Sequence, residues 1–229
     1  MRLTFADTLL LMIDVQNDFC PEYGLGGIRR PAGSLAVADG CSVVAPLNSL
    51  SAAFSRAGAR VAATQDWHPA GHLSFASSHP GRKPGELADF GGLEGNVLWP
   101  DHCVRGSSGA DFHAGLDTAA VNLIVRKGFR PALDSYSAFW ENDRKTPTGL
   151  DGWIRSLGIA SVVIGGLATD YCVFYSAMDA RKLGLVTVVA TDAVRGVGYP
   201  AGSVEAAVSR MREAGVVFME AAEIAGELA

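Results

Sequence analysis

The chain of 229 residues is 48% hydrophobic and 19% charged, and its 19 basic and 24 acidic side chains leave a net charge of −5. That length suits one large α/β core over residues 1–229 better than two small ones. No apolar run approaches the roughly 18 residues of a membrane span, and without a block of like charge a phosphate backbone is a poor partner.

Leu9 to Ile13 is a continuous apolar run, as a strand buried on both faces should be; fenced by Asp7 and Asp14, it is too short for a signal peptide. Gly24 to Gly27 stands too far from a strand to cradle a phosphate and reads as a loop. From Cys41 to Gly58, Val44, Leu47, Leu50 and Phe54 keep helical spacing; Pro46 fits only in the first turn, and Gly58 can stop the helix. Further strands are expected over Arg60–Thr64, Asn122–Arg126, Ser161–Gly165, Leu185–Val189 and Val216–Phe218. A helix is expected over Asp170–Lys182, capped by Thr169 or Asp170 and ended by Gly184. Another follows Ser203, with Val204, Ala207, Val208 and Met211 on one face, and stops at Gly215. Strand–helix alternation without hairpin signals predicts a single doubly wound α/β domain with a mostly parallel sheet.

One stretch breaks the rhythm. Gln65 to Ala119 shows little periodicity, holds all five histidines and contains turn-like pairs such as Gly91-Gly92. A long irregular excursion in a compact domain is usually functional or disordered, and the aromatic and imidazole content here favours function.

In an open parallel sheet, ligands sit beyond the carboxyl ends of the strands. The residues at those ends are Asp14, Asp66 with His68, Lys127, the stretch Gly165 to Cys172, and Asp192. Cys172 is the candidate nucleophile: a helix N-terminus and a cation such as Lys127 would both lower its thiol pKa. Asp14 can take the thiol proton and return it to a leaving group. The N–H groups around Ala168 and Cys172 can hold an oxyanion. Taken singly, Cys172 would be a small buried residue, Lys127 a solvated strand end and Asp14 a cap; it is their shared edge that argues for chemistry. Asp192 reads as a tie for its loop.

Asp66-Trp67-His68-Pro69-Ala70-Gly71-His72 offers a carboxylate and two imidazoles, with residues 66 and 68 facing one way and a turn able to return His72 to them. Mixed oxygen and nitrogen donors suit Zn²⁺, Fe²⁺ or Mn²⁺, and His102 can be a third imidazole. Cys103 beside it reads as a buried thiol, and His79 and His113 as ordinary surface or hydrogen-bonding residues. With no secretory signal, the four cysteines Cys20, Cys41, Cys103 and Cys172 are expected to be reduced thiols in a cytoplasm.

These residues resemble a known family. Asp14-Val15-Gln16-Asn17-Asp18-Phe19, Asp66-Trp67-His68-Pro69 with His72 and Ser74-Phe75, Trp99 to Val104, Lys127-Gly128 and Ala168 to Val173 look like the nicotinamidase/pyrazinamidase branch of the isochorismatase-like cysteine hydrolases. The resemblance implies a six-stranded parallel sheet with helices on both faces and a triad of Asp14, Lys127 and Cys172. It implies metal ligands Asp66, His68 and His102, with His72 also facing the ion. It places the oxyanion hole at the N–H groups of Ala168 and Cys172, after a cis peptide between Leu167 and Ala168. Phe19, Trp99 and Tyr136 would wall a pyridine pocket together with Leu167. Gly106 is followed by Ser107 where the family commonly has Thr, which keeps the hydroxyl, and extra residues around 22–33 and 80–95 would reshape the pocket mouth. The implied activity is conversion of nicotinamide to nicotinate and ammonia through a cysteine thioester, with pyrazinamide as a related substrate. The partner is thus a small molecule, without nucleic acid or membrane, and a homo-oligomer is left open. The alternatives are a metal-independent hydrolase of small amides or isochorismatase type, and a catalytically silent metal- or ligand-binding protein on the same fold.

Overall fold

The computed structural model describes residues 3–90 and 93–228; Gly91-Gly92 lies outside them. In chain order the elements are β1 (Thr8–Ile13), β2 (Tyr23–Leu25), β3 (Ile28–Arg30), α1 (Val44–Arg56), β4 (Arg60–Asp66), β5 (Leu87–Phe90), β6 (Leu93–Val97) and β7 (Leu123–Lys127). They continue with α2 (Leu150–Ser156), β8 (Ser161–Leu167), α3 (Phe174–Lys182), β9 (Val186–Arg195), α4 (Ser203–Glu213), β10 (Val217–Met219) and α5 (Ala221–Glu227).

Six strands form a parallel sheet in the order β10-β9-β8-β1-β4-β7. The apolar run of β1 is buried at every position, as expected of a central strand covered on both sides. Alternation divides it. Leu10 and Met12 join the core beneath α1 and α5, with Leu47, Leu50, Phe54 and Ile224. Leu9, Leu11 and Ile13 join the opposite core, with Leu150 and Ile154 of α2, Ala177 of α3 and Met211 of α4. Helices therefore lie on both faces. From β1 the chain winds outward through β4 to β7, then returns to β8 on the other side of β1. The switch point falls between β1 and β8, where the open ends of an α/β sheet leave a crevice.

Pro46 sits in the first turn of α1, where its missing N–H costs nothing, and a 3₁₀ turn over Gly40–Val43 leads into it. Two expectations need correction. The chain does contain hairpins: β2 pairs with β3, making Gly26 and Gly27 a tight turn at positive φ, and β5 pairs with β6. Both fall in the two stretches noted above as extra. The fifth sheet strand does not end at Asp192 but runs to Arg195 after a register shift beside Gly166. Asp192 does tie down a neighbour, its carboxylate accepting from Ala221 N–H at 2.8 Å.

Candidate active site

The carboxyl ends of β1, β4, β7 and β8 bring the expected groups together. Asp14 follows β1 at φ +47°, and Lys127 ends β7 in register with Asp66, the last residue of β4. Lys127 is wholly buried, with its Nζ 2.8 Å from Asp14 Oδ2 and 3.4 Å from Cys172 Sγ. It also donates to Asp66 Oδ1 and, at 2.9 Å, to the Ser135 carbonyl. Thr64 donates to Asp14 Oδ1 at 2.5 Å while accepting from the Asp14 N–H at 3.1 Å, so one hydroxyl holds both the backbone and the carboxylate of Asp14.

The segment carrying Cys172 departs from expectation. Instead of a helix capped at Thr169 or Asp170, residues Thr169–Val173 form a π-helical turn, preceded by the cis peptide Leu167–Ala168 and followed by α3. Asp170 does not cap this turn; its carboxylate accepts from Val197 N–H and Gly198 N–H, both at 2.9 Å, and from the Ser203 hydroxyl at 2.6 Å. Gly166, at φ +122°, lies where a Cβ would stand 2.0 Å from the Ile13 carbonyl, so only glycine lets β8 pass this close to β1.

Burial sets the electrostatics. It pushes the Cys172 thiol well above its ordinary range, with Lys127 opposing and both carboxylates reinforcing the shift. The lowered thiol pKa expected from a helix N-terminus is thus overturned for the free protein. Asp14 is raised by burial despite Lys127. Asp66 also suffers desolvation, but attraction from Lys127, His102 and His68 leaves it well below the usual carboxylate range. The Lys127 ammonium loses hydration, yet Asp14 and Asp66 hold it well above its ordinary value. Two neighbouring carboxyls are thereby driven apart in proton affinity, which divides them into a proton-carrying group and a permanent anion.

Beside this cluster, ligand atoms of Asp66, His68 and His102 lie within 4.8 Å of one another. Asp66 Oδ2 is 3.7 Å from His68 Nε2 and 3.8 Å from His102 Nε2, too far for hydrogen bonds and close enough for one ion to bind all three. Each imidazole has its Nδ1 on a backbone carbonyl, His68 on Gly128 and His102 on Pro100, both at 2.8 Å. That contact puts the proton on Nδ1 and leaves the Nε2 lone pair, on the side of Asp66, available to a metal ion. A Cβ on Gly128 would stand 2.5 Å from the His68 ring.

His72 lies apart from this trio. Its ring packs beside His68 with centroids 4.4 Å apart, while Nδ1 meets the Ser74 hydroxyl at 2.7 Å and Nε2 the Leu133 carbonyl at 3.3 Å. The turn through Pro69 and Gly71 returns it to His68, not to Asp66.

Two polar residues were not anticipated. The Gln16 side chain donates to the Asp66 carbonyl at 2.9 Å and accepts from the Asp66 N–H at 2.8 Å. Asp18 accepts from the Cys103 N–H at 2.7 Å, fixing the loop that carries His102, and a Cβ on Gly109 would collide with that carboxylate. Both lie in the stretch 14–19 that carried the resemblance, which is the signal that points to them. Cys103 itself is a buried thiol, as read.

A cleft of about 330 Å³, counting its open mouth, joins the two centres, with Asp66, His102, Ala168 and Cys172 on its wall. Phe19, Trp99 and Tyr136 line it as anticipated; Leu35, Tyr171 and Val197 add apolar surface. Leu167 does not line it, being packed in the core beneath. Trp99 Nε1–H donates to Tyr136 Oη at 3.2 Å, and Tyr171 meets the Trp99 ring edge-on. Among the described residues, no helix is long and apolar enough to cross a membrane.

Residues 8–223 match the isochorismatase domain family. A nicotinamidase of Acinetobacter baylyi is 42% identical over 207 residues, covering 90% of this chain and 89% of its own. The structure of a nicotinamidase/pyrazinamidase of Acinetobacter baumanii superposes with a TM-score of 0.86 at 41% identity, covering 96% of this chain and 98% of the other. That of a Pyrococcus horikoshii pyrazinamidase in complex with zinc superposes with a TM-score of 0.71 at 30% identity, covering 93% and 99%.

Proposed function

From the premise that this chain belongs to the isochorismatase family, we propose that it hydrolyses nicotinamide to nicotinate and ammonia. The observation that carries this reading is one cleft whose wall presents Cys172 of the Asp14–Lys127–Cys172 cluster together with Asp66 and His102 of the Asp66–His68–His102 donors. The first alone suits amide hydrolysis in general. The second adds an anchor for a ring nitrogen at fixed distance from the carbonyl under attack.

The steps follow from the chain's own groups. Asp14 takes the proton of the Cys172 thiol, and Lys127 steadies the thiolate. The sulfur attacks the carboxamide carbon, and the N–H groups of Ala168 and Cys172 receive the negative oxygen. Asp14 returns the proton as ammonia leaves, breaking the C–N bond. Water then attacks the thioester, giving one proton to Asp14; the C–S bond breaks, Asp14 reprotonates the sulfur, and the acid product leaves as nicotinate, its remaining proton passing to solvent. Phe19, Trp99 and Tyr136 sandwich the pyridine and exclude water. A divalent ion on Asp66, His68 and His102 would supply a Lewis-acid contact for the ring nitrogen, directly or through water. Its benefit is orientation, which can account for several kcal/mol of the barrier. A carboxamide on a six-membered diazine, as in pyrazinamide, meets the same requirements.

The test is ammonia and nicotinate release from nicotinamide, with metal content measured on the same sample. Stoichiometric release that collapses on chelation and returns with Zn²⁺, Fe²⁺ or Mn²⁺ is expected. Turnover of aliphatic amides with none of nicotinamide, or turnover indifferent to verified metal loss, would overturn the substrate or the metal assignment respectively.

A further inference from the structure

Away from the cleft, two thiols and an imidazole from three separate stretches of chain converge. The sulfurs of Cys20 and Cys41 and a ring nitrogen of His113 all lie within 4.8 Å of one another, and neither cysteine is in a disulfide. We propose that Cys20, Cys41 and His113 form a second metal site, suited to a thiophilic cation of which Zn²⁺ is the ordinary case. It is independent of the reaction assigned to the cleft.

Each donor is held in place by contacts of its own. Cys20 follows the 3₁₀ turn Asn17–Phe19 and bonds back to the Asn17 carbonyl at 3.1 Å. Cys41 lies in the turn before α1, held against that segment by Val37 N–H on the Phe19 carbonyl at 3.0 Å. His113 donates its backbone N–H to the Val15 carbonyl at 2.8 Å. The Tyr23 ring stacks on the imidazole with centroids 3.8 Å apart, and the Tyr23 hydroxyl is fixed by Asn17 at 2.6 Å. Of the two readings given for His113, surface or hydrogen-bonding, the buried ring fits the second.

The second observation is a nitrogen with nothing to bond. His113 is 7% exposed; its Nδ1 accepts from Gly115 N–H at 3.0 Å, and its Nε2 has no hydrogen-bond partner among the described residues. A buried polar atom left this way is costly unless a ligand completes it. Two thiolates with one divalent cation sum to zero charge, which a buried site tolerates far better than bare thiolates. Ligation through Nε2 shifts the ring proton to Nδ1 and releases Gly115 N–H, which is half-exposed and can turn to water. The half-buried side of Cys41, near the Pro21 carbonyl at 3.8 Å, leaves a fourth position for water or that oxygen. Two sulfurs and a nitrogen favour a softer ion than the oxygen and two nitrogens of the cleft.

Titrating the reduced full-length chain with Co²⁺ tests this, because thiolate–cobalt bonding gives near-ultraviolet charge-transfer absorption. The expected result is that the band appears, survives in Cys172→Ser, is lost in Cys41→Ser, and that bound Zn²⁺ falls by one equivalent per chain in Cys41→Ser. Retained turnover in that variant would show that it folds. No band in the wild type, a band unaffected by Cys41→Ser, or a Cys20–Cys41 disulfide found by mass in freshly purified, metal-free protein would each overturn the site.

Discussion

At the sheet edge, Asp66 and Lys127 end strands whose positions are fixed by ladders of backbone hydrogen bonds, and Asp14 follows directly on a third. In the stretch between β4 and β7, His68 and His102 hang from loops, and each is aimed by one ring nitrogen on one carbonyl. The first kind of precision is shared among many bonds, so replacing one side chain leaves the geometry of the others intact. The second rests on fewer bonds, His68 N–H to the Cys103 carbonyl at 3.1 Å, Arg105 N–H to the His68 carbonyl at 2.8 Å and Cys103 N–H to Asp18 at 2.7 Å, so small backbone changes in the loops are felt directly at the donor set. Chemistry and anchoring are therefore vulnerable to different kinds of substitution.

The sharpest separation is Cys172→Ala, expected to lower kcat by at least ~10⁴-fold while the chain keeps its metal and its melting temperature. Loss of metal along with activity would mean that the two regions are not separable. Next comes Lys127→Met, which leaves Asp14 and Asp66 facing each other in the interior. Breaking a buried ion pair from one side costs about 3–5 kcal/mol, to be read from denaturant midpoints; a stability change below ~1 kcal/mol would show that the ammonium is not needed to hold the edge together. Gly128→Ala probes the loop side. The glycine sits at φ +63°, and a methyl there meets the His68 ring, so metal affinity should fall about 10–100-fold in chelator competition, with Cys172 still alkylated at the wild-type rate. Equal affinity would relieve Gly128 of its role.

The smallest effect concerns Glu141, in the irregular segment after β7. Burial, partly countered by Arg130, raises its carboxyl from 4.5 to about 6. The folded state then binds more protons than the unfolded chain between those values, so stability falls as pH rises from about 4.5 to about 6. The difference in melting temperature between the wild type and Glu141→Gln should drift in that window and flatten above it; a constant difference would rule out the shift.

All six sheet strands were legible because each contains a short apolar run, and so were Asp14, Asp66 and Lys127, the polar residues that close or follow three of those runs. What escaped was short or set by contacts distant in sequence. The helices α2 and α5 span seven residues each, too few for a periodic stripe. The π-helical turn under Cys172 has the residue pattern of an ordinary first helical turn, with Asp170 in a capping position although its partners are Val197, Gly198 and Ser203. The spacing of His72 from Asp66 could not reveal that Ser74 and Leu133 occupy its nitrogens. Burial of Cys172 reverses the thiol shift expected from local chain features alone, because desolvation depends on the whole surrounding fold.

After Met12 pairs with Ala63, β1 turns away at Asp14 and abandons the flank of β4. The Gln16 amide then steps into the gap, offering Asp66 one donor and one acceptor as a neighbouring peptide would. With β7 on its other flank, Asp66 is paired on both sides although it stands at the last position of its strand. A terminus that would ordinarily fray is thereby made as stiff as the middle of the sheet, and a carboxylate that must meet a cation without reorganising is already in its final pose.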